Sequence, residues 1–431
     1  MSGPPGDARD GTALHVLFLT DNFPPETNAP ASRTFEHARR WVERGHRVTV
    51  VTGCPNFPEG RPFAGYRNRW FARERIEGVD VVRVKTYMAA NKGFLPRILD
   101  YLSFMVTGGI AAAVQRRPDV VVATSPQFFT AIAGRFVALV RRRPFALEIR
   151  DLWPASIVAV GAMRDSVFIR AMERIEAYLY DRADAIVVVT EAFRTEMIER
   201  GVDGAKIVCV PNGVDRDVFR PVDRDARLAR ELGLEGRFVA GYVGTLGMAH
   251  DLERLLEAAE SLREHPRIRF VVMGAGAMRE RLGRIVAERG LDNVLLMAPR
   301  PREEIPRWLG LCDLTIVPLR DDPVFAGVIP SKLFEAFACA VPVVMALPRG
   351  EATAIVERSG AGVVVPPSDP RALADAVEAL AADPEALSGM ATAAREESVS
   401  WSRAARANEM LEVLRALAAP LALAERGRHR S

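Results

Sequence analysis

Lys332 and Glu335 stand three residues apart in VIPSKLFEAFACAVPVV (residues 328–344), an otherwise apolar stretch that reads as a short helix. Residues at that spacing are neighbours on one helix face. A lysine at a helix start has the wrong charge for the helix dipole unless an anion also binds there. A carboxylate one turn further in can accept hydrogen bonds from two adjacent hydroxyls. Ser331 can cap the helix. A phosphate on Lys332 and a ribose diol on Glu335 would together describe a nucleotide. A structural Lys–Glu pair is the plainer alternative.

Other short stretches carry related chemistry. GTLGMAHDL (244–252) places Gly244, Thr245 and His250 between a strand and a helix predicted to begin near Ala249, where free N–H groups can hold a phosphate. GAGAM (274–278) offers Gly274 and Gly276 at a second strand-to-helix turn. It is not a GxGxxG, no acid follows at ribose distance, and a tight turn explains it as well. In EIRDLWP (148–154), Glu148 lies within a strand pattern and needs a partner there. Asp151 points from the strand end, and Arg150–Asp151 reads equally as a structural pair. Asn28 and Arg33 lie in the Pro- and Asn-rich stretch DNFPPETNAPASR (21–33). Asp215 and Asp217 form a DxD, but in a turn, and Asp223 and Asp225 repeat the pattern in a polar linker. No other His, Glu and Asp cluster has ligand spacing, so no metal is expected.

These residues need a scaffold, and the chain supplies the same grammar twice. LHVLFLT, RVTVVTG, VDVVRVK, DVVVATS, FALEIRD and AIVVVT are short Val/Ile-rich runs mostly separated by helical stretches. FVAGYVG, RFVVMG, NVLLMA, LTIVPL, VPVVMA and AGVVVP repeat the pattern. Continuous apolar strands alternating with helices predict parallel sheets covered on both faces. The expected divisions are a domain over 13–214, a linker over 215–236, a domain over 237–395, and a C-terminal helix over 396–418. ERGRHRS at the end is expected to fray. In such sheets ligands bind at the carboxyl ends of the strands, which selects the loops at 20–33, 151–158, 244–250 and 274–279, joined by 327–335.

Composition narrows the class. The 431 residues are 49% hydrophobic and 26% charged, as in a globular protein, and two domains are the natural division. A net charge of +3 is too small to suggest a nucleic-acid partner. Four scattered cysteines lack zinc spacing, which suits buried thiols in a reducing compartment. The opening residues lack an apolar signal core, so a cytoplasmic location is expected. KGFLPRILDYLSFMVTGGIAAAVQRR (92–117) is apolar with basic ends, and Arg141–Arg143 add charge. It suits either a buried helix or peripheral contact with the inner face of a membrane.

From about residue 14 to 417 the chain resembles the retaining glycosyltransferases of family four, which have the GT-B fold of two facing Rossmann-like domains. FPPETNAPASR, PNGVD (211–215), VGTL, the PSKLFEAFACAVPVV helix and the closing SWSRAA carry the likeness. TDNFPPETNAPASR, CPNFPEG and EIRDLWPASI resemble bacterial enzymes of surface-polysaccharide assembly, including N-acetyl-L-fucosamine transferase types. The resemblance implies a nucleotide-sugar donor, read as UDP-linked, and a glycan or lipid-linked acceptor. It implies a donor site of Gly244, Thr245, His250, Gly274, Gly276, Ser331, Lys332, Leu333 and Glu335, with Glu335 on the ribose hydroxyls. It implies acceptor contacts at Asn28, Arg33, Arg150 and Asp151, and catalytic roles for Lys332, on the leaving phosphate, and Asp151. The C-terminal helix would return to the first domain. Three positions depart from the family. Its first motif glutamate is Gly327 here, its phosphate-loop Arg and Lys are Thr245 and His250, and its His–Asp pair is Arg150–Asp151. A sugar-nucleotide epimerase on the same scaffold, or a GT-B subunit that only binds, are the alternatives. A dehydrogenase would need the missing dinucleotide fingerprint.

Overall fold

The computed structural model describes residues 13–26, 28–57, 59–88, 94–125, 128–152 and 167–428. Two sheets carry the described strands. The first runs in the order β3 (Phe71–Ile76), β4 (Val79–Val84), β2 (Arg47–Gly53), β1 (His15–Leu19), β5 (Val120–Thr124), β6 (Phe145–Ile149), β7 (Ala185–Val188), β8 (Ile207–Cys209). The second runs β11 (Val294–Met297), β10 (Ile268–Met273), β9 (Phe238–Val243), β12 (Leu314–Pro318), β13 (Val343–Ala346), β14 (Gly362–Val365). The second sheet is parallel throughout, as its unbroken Val/Ile runs predict. Strand order reverses at β1/β5 in one sheet and at β9/β12 in the other. Those are the switch points where such folds open a crevice.

The structure refines four expectations. β3 is antiparallel to β4, because Glu77 and Gly78 both take positive φ, 46° and 82°. Two such residues make a tight hairpin turn, so no crossover helix is needed. The stretch 215–236 connects the bodies and also packs on the second. Its helix Ala226–Glu231 buries Leu228 and Ala229 in the second body, and Arg224 pairs with Asp313 at 3.1 Å. The closing helix spans Arg403–Arg428 instead of 396–418. Residues 398–402 serve as a crossing segment, and the tail expected to fray stays helical to Arg428. The apolar stretch forms the helix Phe94–Ala113, and the one at 128–141 packs beside it.

The crossing is two-stranded. A parallel bridge joins Val214 to Ser402, with Val214 N–H on the Trp401 carbonyl at 2.8 Å and Arg403 N–H on the Val214 carbonyl at 3.1 Å. A side chain at Gly213 would meet the Trp401 carbonyl at 2.5 Å, which explains the glycine of PNGVD. Beyond the bridge, Met410, Leu411 and Leu414 join the first body's core, and Trp41 Nε1 donates to the Ala407 carbonyl at 2.7 Å. The last helix thus belongs to the first body.

Candidate active site in the interdomain cleft

On the second body, the chain leaves β9 at Gly244 and β10 at Gly274, and the two turns are zipped together. Gly244 N–H donates to Met273 O at 3.0 Å, Leu246 N–H to Ala275 O at 2.8 Å, and Met278 N–H to Leu246 O at 2.9 Å. Gly274 and Gly276 sit at φ 155° and 151°. A Cβ there would come within 1.8 Å of Gly244 O and 2.4 Å of Leu246 O, respectively. Both glycines are therefore required by the contact between the turns, ahead of any ligand.

The helix expected near Ala249 begins at Leu252. Met248–His250 is a 3-10 turn, and Asp251 stands in the left-handed region at φ 45°. His250 lies beside the Tyr242 ring, centroids 6.1 Å apart. Burial and the nearby Lys332 hold its imidazole well below the usual histidine range, against the pull of the Pro318 carbonyl. It is a neutral group here. Thr245 is exposed, and its carbonyl accepts the Tyr242 hydroxyl at 2.6 Å.

Lys332 and Glu335 project from the helix Ser331–Ala338. Its N-cap is Pro330, so Ser331 is the first helical residue and does not cap it. No side chain caps this end at all. Lys332 Nζ lies 2.8 Å from Tyr242 Oη and 4.0 Å from the ring centroid. Burial drags the amine down to about 7, with Glu335 pulling the other way. Leu333 is fully buried and anchors the helix. The half-buried Glu335 carboxylate receives no hydrogen bond from the described residues. Burial pushes it above the usual range, while Arg403, Arg302 and Lys332 restrain that rise and Glu36 adds to it.

Glu36 and its two arginines were not evident from the sequence. Glu36 is 2% exposed on the helix Ala29–Glu43 and binds Arg302 at 2.5 Å and Arg403 at shorter range. It thereby ties both bodies and the crossing segment together beside Glu335. The available signal was an acid on the buried face of SRTFEHARRW. Trp401 stacks on Phe334 at 4.4 Å and fixes the same helix from the other side.

On the first body, Arg33 is 3% exposed and spends its guanidinium on protein. Nε donates to Glu148 at 2.8 Å, Nη1 to Pro211 O at 2.8 Å and Asn212 at 3.3 Å, and Nη2 to Val210 O at 2.9 Å. That removes Arg33 from the acceptor contacts and supplies the partner Glu148 needs. Burial raises the Glu148 carboxyl, but Arg33 and Arg150 more than offset this and leave it below the usual range. Asn28 is also a scaffold residue. It caps the first helix through Ala31 N–H at 3.0 Å and donates to Asn22. Arg150 donates to Ala29 O at 2.9 Å and is lowered by burial to about 10. Asp151 is half-buried at the carboxyl end of β6. Residues 153–158 of that expected loop, with part of the EIRDLWPASI likeness, lie outside the described residues. Asp215 lies 3.7 Å from Arg39 and 3.8 Å from Arg40, which accounts for the DxD as an ion-pair cluster.

Two families match this chain in tandem: the glycosyl transferase 4-like domain over residues 28–213 and the glycosyl transferases group 1 over residues 224–397. The chain carries both domains of a glycosyltransferase in the GT-B fold. Escherichia coli (strain K12) WcaI, named as a colanic acid biosynthesis glycosyl transferase, is 27% identical over 75% of this glycosyltransferase and 81% of its own length. D-inositol 3-phosphate glycosyltransferase 1 of Catenulispora acidiphila is 27% identical over 88% of each chain. In fold, the glycosyltransferase superposes on Anabaena Alr3699/HepE, solved in complex with UDP and glucose. The TM-score is 0.71 at 18% identity, over 93% of this chain and 99% of that one. Gly327 lies at the contact between bodies in this glycosyltransferase. A Cβ there would press on Ala192 and Phe193 at 3.3 Å. Nearby, Glu351 accepts from the N–H of Glu191 at 3.0 Å and Ala192 at 3.4 Å. The departure at Gly327 thus coincides with close packing of the two bodies.

Proposed function

We propose that this glycosyltransferase moves a sugar from a nucleoside diphosphate, with retained anomeric configuration and without a metal, to a glycan or lipid-linked acceptor in surface-polysaccharide assembly. The donor reading is UDP with an N-acetylated amino sugar. The observation that carries the proposal is the Glu335 carboxylate, unpartnered among the described residues, one turn from Lys332 on a helix whose start no side chain caps. A ribose diol supplies the two donors a carboxylate lacks. Breaking the glycosidic bond leaves charge on the β-phosphate, and fixed dipoles with a cation are the strongest aid a protein gives that step. Lys332 and the N–H groups of the Ser331 helix are suited to it. The UDP held by the structurally similar Alr3699/HepE and the naming of WcaI for colanic acid support the substrate class. Asp151 and Arg150 remain the proposed acceptor contacts.

A panel of nucleotide sugars, scored by thermal shift and nucleotide release with and without EDTA, tests this. A UDP-sugar that stabilises the wild type but not Glu335→Ala, with EDTA making no difference, is the expected result. No response to any nucleotide or nucleotide sugar would sink the reading.

The acceptor proposal includes peripheral attachment at the inner membrane face. Among the described residues no helix is long and apolar enough to cross a bilayer. Leu99, Val106 and Ile110 are 51–61% exposed on the helix 94–113, and Phe136, Leu139 and Val140 are 51–62% exposed on its neighbour. Exposed Arg116, Arg117 and Arg142 flank them. Apolar surface ringed by cations suits an anionic lipid face. Co-sedimentation with phosphatidylglycerol vesicles is expected, with loss in Ile110→Asp/Leu139→Asp. Equal recovery with purely zwitterionic vesicles would remove the electrostatic part.

A further inference from the structure

Tyr242 is the penultimate residue of β9 and is wholly buried, yet its hydroxyl does two jobs. Oη donates to the Thr245 carbonyl at 2.6 Å and lies 2.8 Å from Lys332 Nζ. A phenol has one proton. With that proton committed to Thr245, the oxygen can only accept from Lys332. The amine also lies 4.0 Å from the ring centroid, inside the range of cation–π attraction. Gly244 leaves room beside the amine, since a Cβ there would approach Nζ to 3.2 Å. Lys332 is thus held by a ring, a hydroxyl and a bare stretch of backbone.

We propose that Tyr242 is the positioning residue for donor phosphate recognition, its hydroxyl fixing Lys332 Nζ and tying it to the Gly244–Gly247 turn. This rests on the donor reading above. The second body then reads the phosphate with a single rigid unit, in which the cation and the turn cannot shift independently.

The charge state of Lys332 follows from the same contacts. Burial works against the ammonium, and the hydroxyl lone pair and ring face work for it. The groups facing it are Glu335 on its own helix, Tyr242 on β9 and His250 on the 3-10 turn, while Arg302, Arg403 and Glu36 act through Glu335. His250 is already neutral near pH 7, so it does not titrate in the same window. Bound phosphate needs Lys332 protonated. Affinity should fall as pH rises through the Lys332 pKa, and removing the hydroxyl should move that fall to lower pH.

The test measures UDP and GDP affinity of the full chain from pH 6 to 9 by calorimetry, for the wild type, Tyr242→Phe and Tyr242→Leu. Tyr242→Phe keeps the ring and the core volume. It is expected to weaken binding about 10-fold or more, as for a hydrogen bond to a charged group, and to shift the basic limb downward. Tyr242→Leu should shift it further. Wild-type affinity and limb in Tyr242→Phe would overturn the inference while the donor reading survives. Lower thermal stability with an unmoved limb would also overturn it, as a purely structural effect. A wild type that binds neither nucleotide would sink the donor reading and the inference together.

Discussion

Lys332 and Glu335 stand out in the sequence because each is anomalous where it stands. A cation at a helix start and an acid among Phe and Ala both ask for a partner outside the helix. Arg33 was misread for the converse reason. It sits in a polar loop sequence, and nothing local reveals that Glu148, 115 residues away, and the 210–212 turn consume its donors. The Arg33–Glu148 pair is nearly sealed, at 3% and 1% side-chain exposure. Breaking such a pair leaves a buried charge and costs about 3–5 kcal/mol. Arg33→Ala is therefore expected to lose that much in chemical denaturation. The effect has a pH signature. Glu148 titrates below its unfolded value, so its contribution is present above the ordinary glutamate range and is lost as pH falls through the folded value. Lys332 has the opposite balance. Its folded pKa of about 7 lies below the ordinary 10.5, so the charged form is strained in the fold. That penalty is complete below pH 7 and fades between there and 10.5. Lys332→Met is expected to raise Tm at pH 7, with no gain above pH 10.5, while losing UDP binding. A variant less stable than the wild type at pH 7 would contradict this.

Among elements, the strand runs were the clearest signal, because a parallel strand buried on both faces is apolar at every position. β3 gives no such signal, since FARERI carries three charged residues in succession at a sheet edge, with Arg73 and Arg75 exposed and Glu74 half-buried against Arg83. The Gly274 and Gly276 turns were visible, but their reason was not. Spacing cannot distinguish a glycine that admits a phosphate from one that admits another loop. Gly276→Ala must both hold φ near 151° and push its Cβ against Leu246 O. Strain of this kind costs about 1–3 kcal/mol, so a lower Tm together with weaker UDP binding is expected. Unchanged stability would mean that the two turns separate freely.

The whole molecule is held by contacts whose partners are far apart in sequence, and these were the least legible. Glu36 meets Arg302 and Arg403, and Glu351 meets the start of the helix Glu191–Glu199. The first cluster stands beside the two-stranded crossing. The second joins the bodies through a different pair of helices. Glu351→Ala is expected to change the unfolding free energy by no more than about 0.5 kcal/mol, because this half-buried carboxylate and the two N–H groups it leaves can be met by water. Small-angle scattering should nonetheless report a larger radius of gyration and the donor KM should rise. An unchanged radius would show that Gly327 and Phe193 hold the bodies together unaided.

The bridge between Val214 and Ser402 carries one more consequence. Everything from 215 to 401 enters and leaves at a single spot, while the first strand and the last helix share one core. The second body is therefore a cassette set into the first. Two cuts at adjacent points in space excise it without dividing a sheet, and Val214 alone reaches across from the first side into its core. Exchange of that segment between relatives offers a direct way to recombine the second body of one glycosyltransferase with the first body of another.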